Sequence, residues 1–111
     1  MATGKVASVQ MTAASITAYS PIYTVPTNNY GVYNISFTNT TGSSVNIRLA
    51  VGSSTSGSVN TNEIIEYQTA VVPYGVFERT GLVLSAGQNI VASTTGTAVN
   101  VNVYGIETST T

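Results

Sequence analysis

The chain contains no cysteine, histidine, tryptophan or aspartate, and among its 111 residues only three are cationic and four are carboxylates. Each absence excludes a class of chemistry. Without cysteine there is no disulfide and no thiolate metal ligand. Without histidine the most frequent general acid–base is missing, and the Ser–His and Cys–His nucleophile systems are excluded with it. Imidazole and thiolate are also the usual ligands of transition metals. The three cations, Lys5, Arg48 and Arg79, are scattered. They do not form the basic cluster that phosphate neutralisation requires, so no nucleic-acid partner is expected. No stretch approaches the roughly 20 apolar residues that span a bilayer, so no membrane partner is expected either. Residues 1 to 15 carry one lysine and no continuous apolar run of the secretory type. The expectation is a chain made in a cytoplasm, without enzymatic activity, metal or cofactor.

Paired carboxylates are the catalytic route left open, since a glycosidase needs two at a set separation. Glu63 and Glu66 are the nearest in sequence. Three positions apart in a regular strand, they point to opposite faces. Glu78 would meet Glu66 only if a neighbouring strand brought it there. Such a pair reads as solvated or ion-paired surface groups. Calcium binding by oxygen ligands lacks the acidic loop pattern it normally uses.

What the chain does have is neutral polarity. Ser, Thr and Asn supply 41 of the 111 residues, and the net charge is −1. Such a surface offers little self-repulsion and tolerates close association with copies or partners. Val, Ile, Thr and Tyr dominate the remainder, and Gly, Pro, Asn and Ser recur at short intervals between them. This is the pattern of short strands joined by turns. About eight strands are expected, near residues 6 to 11, 18 to 25, 32 to 38, 45 to 51, 63 to 67, 77 to 84, 88 to 92 and 99 to 104. The fold class is all-β, an antiparallel β-sandwich of Greek-key or jelly-roll type, with a small closed barrel as the alternative. Residues 1 to 17 form an N-terminal arm or first strand, residues 18 to 107 the sandwich, and residues 108 to 111 a frayed tail.

Residues 34 to 52, "NISFTNTTGSSVNIRLAVG", show the alternation most cleanly. Tyr33, Ile35 and Phe37 share one face, and Val45, Ile47, Leu49 and Val51 share another. The stretch reads as a β-hairpin with a long loop and one buried face. Pro21 marks an edge position, a bulge or a break. Residues 52 to 62 are rich in Ser and Gly and read as flexible coil, with a contact loop as the alternative.

Seven tyrosines suit interfaces, because each joins an apolar ring to a polar tip. Tyr33 falls on the inward face. Tyr104 falls on the outward face of the last strand, and Tyr30 and Tyr74 fall in turns. With Arg48, these three exposed tyrosines are the candidate partner-contact residues. Tyr30, Tyr74 and the loop of residues 52 to 62 would also suit a carbohydrate-binding module.

Several segments occur in a telling order: "YTVP" at 23 to 26, "NISFTN", "VNIRLAV", "IEY" at 65 to 67, "ERTGLVLSAGQNI" at 78 to 90, and "VNVYGIE" at 101 to 107. In that order they resemble the small all-β virion structural proteins of tailed bacteriophages, over residues 20 to 107. The resemblance implies a non-enzymatic sandwich that binds an assembled shell or tail in many copies. Its partners would be the major capsid protein or other virion proteins, and itself as a homo-oligomer such as a trimer. Its location would be the virion. The leading expectation is a capsid decoration (cement) protein, and the alternative is a tail, neck or fibre-associated protein. The resemblance carries over no catalytic residues.

Overall fold

The computed structural model describes residues 3 to 12 and 15 to 109. Eight strands follow in order: β1 (Thr3–Met11), β2 (Ser15–Thr24), β3 (Asn29–Asn39), β4 (Val45–Gly52), β5 (Ile64–Val71), β6 (Val76–Leu84), β7 (Asn89–Thr94) and β8 (Val99–Ser109). A 3-10 turn, Thr61–Glu63, precedes β5. The strands form two four-stranded antiparallel sheets, β1-β8-β3-β6 and β2-β7-β4-β5. This order is a jelly roll. The chain is in effect one long hairpin, with β1 to β4 set against β8 to β5, rolled so that β8 also pairs with β3 and β7 with β4. Two separate sheets face each other, so the closed barrel is not what forms.

Period-two alternation explains the core. Tyr33, Ile35 and Phe37 from β3 and Val99, Val101 and Val103 from β8 are buried against Ile47 and Leu49 from β4 and Ile90 and Ala92 from β7. Inner-face residues of two stacked sheets interdigitate across a layer about 10 Å thick.

Residues 34 to 52 do not form a hairpin. β3 lies in one sheet and β4 in the other, so the turn between them carries the chain across the sandwich. Alternation fixes which face of each strand is apolar and not which strand lies beside it, so the two apolar faces are served equally well by stacking across the core. Asn39 holds the crossing. Its buried amide donates to Ser43 O (2.8 Å) and Val72 O (3.1 Å), and its carbonyl accepts from Thr41 N (3.0 Å) and Thr41 Oγ1 (2.7 Å). A buried amide satisfied in this way fixes a turn that its Ser, Thr and Gly neighbours would leave loose.

The expected frayed tail needs correction at its start. Thr108 and Ser109 belong to β8 and pair with Tyr30 and Asn29. Ladder pairing to a central strand holds them, and the last two residues lie outside the described ones. Residues 3 to 11 form the outer strand of the first sheet, paired with β8.

All four edge strands are interrupted. β1 shifts register between Lys5 and Ala7. β2 carries Pro21 and loops out between Ser15 and Ser20. β5 bulges opposite Arg48, where Gln68 takes φ 54°. β6 bulges between Arg79 and Leu82, where Gly81 takes φ 73°. Such interruptions prevent a second sheet from adding edge to edge. Along one side of the sandwich, Arg79 of β6 forms an ion pair with Glu66 of β5 and so ties the two sheets together.

Candidate functional site: an apolar row on the outer face of one sheet

The two outer faces differ in what covers them. On the β2-β7-β4-β5 sheet, the outward residues Ala50, Val91 and Ser93 are buried. The looped-out part of β2 contributes to that cover, since Ser93 Oγ donates to Ile16 O at 2.6 Å. Arg48 lies on the same face. Its guanidinium stacks on the Tyr67 ring at 4.2 Å and donates to Tyr67 Oη at 3.0 Å. Arg48 is thus engaged with its own chain, through the bulge that turns Tyr67 toward it.

The outer face of the β1-β8-β3-β6 sheet is bare and divided into two halves. One half is polar. Ser8, Asn102, Ser36 and Glu78 stand opposite one another across the four strands, followed by Gln10, Asn100 and Thr38. Val76, opposite Thr38 on β6, is the exposed apolar residue of that half. In the other half Ile106, Val32 and Val83 stand directly opposite one another on β8, β3 and β6. They are 65, 50 and 70% exposed. Neighbouring strands lie about 5 Å apart, so the three side chains make one continuous row. Exposed Tyr104 and Tyr30 flank it, one on each side, since Tyr104 pairs with Asn34 and Tyr30 with Thr108. Lys5 ends the Tyr104 side, with its ammonium 5.8 Å from the ring centroid. Single exposed apolar residues are ordinary, and a contiguous row of them is the stronger candidate for a contact surface.

A buried polar cluster lies behind this row. Glu107 is enclosed in the core, and Tyr33 Oη donates to its Oε2 at 2.7 Å. Tyr23, reaching across from β2, donates to the same oxygen. The two rings meet at a centroid distance of 5.7 Å. Burial, reinforced by the Glu107 hydrogen bond and charge, pushes the Tyr23 hydroxyl up to about 12, and pushes Tyr33 up for the same reasons. The cluster joins the two sheets at the end where the apolar row sits. Glu107 is the residue the sequence reading passed over. Its inward register with Val99, Val101 and Val103 was the available signal.

Residues 53 to 60 are not flexible coil. The Glu63 carboxylate accepts from Ser53 N (3.0 Å), Ser54 N (2.7 Å), Ser53 Oγ (3.1 Å), Ser54 Oγ (2.5 Å) and Asn60 Nδ2 (3.3 Å). Asn89 Nδ2 donates to Ser54 O at 3.0 Å, and Thr55 and Ser58 close a tight turn. Gly52 makes this possible. Its φ is 125°, and a Cβ there would lie 2.7 Å from Glu63 Cδ. Hydrogen bonds from the Ser54 and Ser53 groups hold Glu63 down at about 2. Between this loop, β2 and β7 lies a cavity of about 180 Å³.

The candidate residues therefore fall in three places. Tyr30 and Tyr104 flank the apolar row, and Tyr30 lies in β3 rather than in a turn, because β3 begins at Asn29. Tyr74 is 74% exposed in the β5–β6 turn, with Val72 and Val76 exposed beside it. That turn adjoins Thr38, eight residues along β3 from Tyr30, which is roughly 27 Å at about 3.4 Å per residue. Arg48 is on the opposite sheet. The carboxylates are engaged within the chain: Glu66 takes Arg79 and Thr69, Glu63 takes the loop, and Glu107 takes two tyrosines. Among the described residues, no group of three or more His, Cys, Asp or Glu could hold a metal ion.

No family model, no curated protein and no solved structure matches the chain.

Proposed function

We propose that this chain is a non-enzymatic structural protein that coats an assembled virion, a capsid decoration protein of the tailed-phage type. It docks by the outer face of the β1-β8-β3-β6 sheet onto the major capsid protein. The observation that carries the docking surface is the exposed row Ile106, Val32 and Val83, flanked by Tyr104 and Tyr30. The interrupted edges support it, because they leave faces rather than strand addition as the means of contact. A near-neutral surface also supports it, since close-packed copies repel little. The virion setting rests on the motif order of residues 20 to 107. Individually weak contacts suffice when copies are linked, because each later contact is then intramolecular.

The test mixes the protein with undecorated phage heads and measures co-sedimentation and the temperature of shell rupture. The wild type should saturate the heads and raise that temperature. Val83→Asp with Ile106→Asp should abolish both effects. Its own melting temperature should stay close to wild type, since exposed substitutions usually change stability by less than about 0.5 kcal/mol. Absence of wild-type binding would overturn the virion reading. Binding that survives the double substitution would overturn the choice of face.

A further inference from the structure

The cavity beneath residues 53 to 60 is built from groups that the shell-docking reading does not use. We infer that it is a binding site for a single neutral sugar ring. Its wall is apolar, formed by Pro21 and Val91, and its polar groups are Thr24, Thr55, Ser56 and Asn89, with the Tyr23 ring at its side. None of these carries a charge, so the lining suits a neutral ligand better than a phosphate, a carboxylate or a cation. The hydroxyl-bearing Thr55 and Ser56, with the acceptor lone pairs that Thr24 Oγ1 and Asn89 Oδ1 keep after bonding each other, stand beside an apolar wall and match a ligand with hydroxyls on its rim and C–H groups on its face. The size agrees. A cavity of about 150 Å³ holds one benzene ring, and this one is about 180 Å³.

The second support is preorganisation. A Ser/Gly-rich segment of this length is ordinarily coil. Here the Glu63 carboxylate accepts from both Ser53 and Ser54 through backbone and hydroxyl, and Asn89 holds Ser54 O from β7. These bonds fix the loop so that Thr55 and Ser56 reach the cavity, while the other side is fixed by Thr24 Oγ1 donating to Asn89 Oδ1 at 2.6 Å. Fixing the loop in advance removes the ordering cost that a ligand would otherwise meet. The site is lined by β2, β7 and the 53–60 loop and shares no residue with the Ile106–Val32–Val83 row, so the inference stands or falls independently of that row.

The experiment is an amide NMR titration of the full chain with methyl glycosides of glucose, galactose, mannose and N-acetylglucosamine. One ring makes few contacts, so a dissociation constant in about the millimolar range is expected. At least one glycoside should give saturable shifts at Thr24, Thr55, Ser56 and Asn89. Ser56→Ala and Thr55→Val should each weaken that binding about two- to tenfold, the effect of one hydrogen bond. Unchanged spectra elsewhere in the two variants would show that the fold is retained. A polysaccharide ending in the best sugar separates two sources of the ligand: binding retained indicates a glycan terminus, and binding lost indicates a free sugar. No saturable shift with any glycoside would overturn the inference. So would shifts that map away from the cavity, or that both variants leave unchanged.

Discussion

At the scale of single residues, the most consequential side chain is Glu107. A carboxylate in a β-sandwich core is costly unless it is paired, and here two tyrosine hydroxyls converge on one of its oxygens. Glu107→Ala removes the acceptor and leaves Tyr33 Oη buried without that partner. The expected cost is on the order of 3 kcal/mol, given about 1–3 kcal/mol for each polar group so stranded. Urea denaturation checks it, and a midpoint within error of wild type would show that the hydroxyls find other partners. Two pH windows follow from the same kind of accounting. Glu63 falls from 4.5 to about 2 on folding. Its contribution is therefore present above pH 4.5 and lost as pH falls toward 2. Tyr23 rises from 10.0 to about 12. Its contribution is present below pH 10 and lost as pH rises through 12. Melting temperatures across both ranges test this. In Glu63→Gln, an NH2 group replaces one acceptor of the loop N–H and O–H donors. The gap between wild type and this variant should close as pH drops from 4.5 toward 2, and a constant gap would contradict the assignment.

At the scale of elements, β8 shows how alternation and small residues act together. Its odd-numbered positions face the core, and Gly105 is the one that leaves room for the Tyr33 ring. A Cβ at Gly105 would lie 2.5 Å from Tyr33 Cδ1 and 2.7 Å from Val32 O. Gly105→Ala should therefore destabilise by about 1–3 kcal/mol, the usual range for overpacking a filled core. Equilibrium denaturation measures it. No loss would mean that the Tyr33 ring can shift and that its hydrogen bond to Glu107 does not fix it. The β3–β4 segment teaches the complementary point. Its alternation was legible, and so was the burial of Ile35, Phe37, Ile47 and Leu49. Its pairing was not, because period two reports which face of a strand is apolar and says nothing of which strand lies beside it.

At the scale of the whole molecule, the jelly roll pairs the two ends of the chain. β1 lies against β8, and β2 against β7. Contacts between distant segments must meet their loop-closure entropy before they stabilise anything. Refolding is expected in the millisecond-to-second range typical of all-β sandwiches. Stopped-flow fluorescence of the tyrosines measures it, and a microsecond phase carrying the full amplitude would contradict the closing role of β1 with β8. The same topology makes the molecule two-sided. One outer sheet face is partly covered by the chain's own β2 segment and by Arg48 on Tyr67, while the other presents Ile106, Val32 and Val83 to solvent.

The sequence by itself determined the all-β class, the inward faces of β3, β4 and β8, the place of Tyr33 in the core and the irregularity at Pro21, an edge position, a bulge or a break. These are local properties, set by alternation along one strand or by one backbone N–H that is missing. The absence of cysteine and histidine was likewise read without any structure. Tertiary structure alone decided that β3 and β4 occupy different sheets, that Glu107 is enclosed by Tyr23 and Tyr33, and that a Ser-rich loop is held rigid by Glu63. It also decided that residues 32, 83 and 106 form one row. Each of these depends on which distant strands become neighbours. That choice is made by stacking two apolar sheet faces against each other, and no single stretch of the chain contains it.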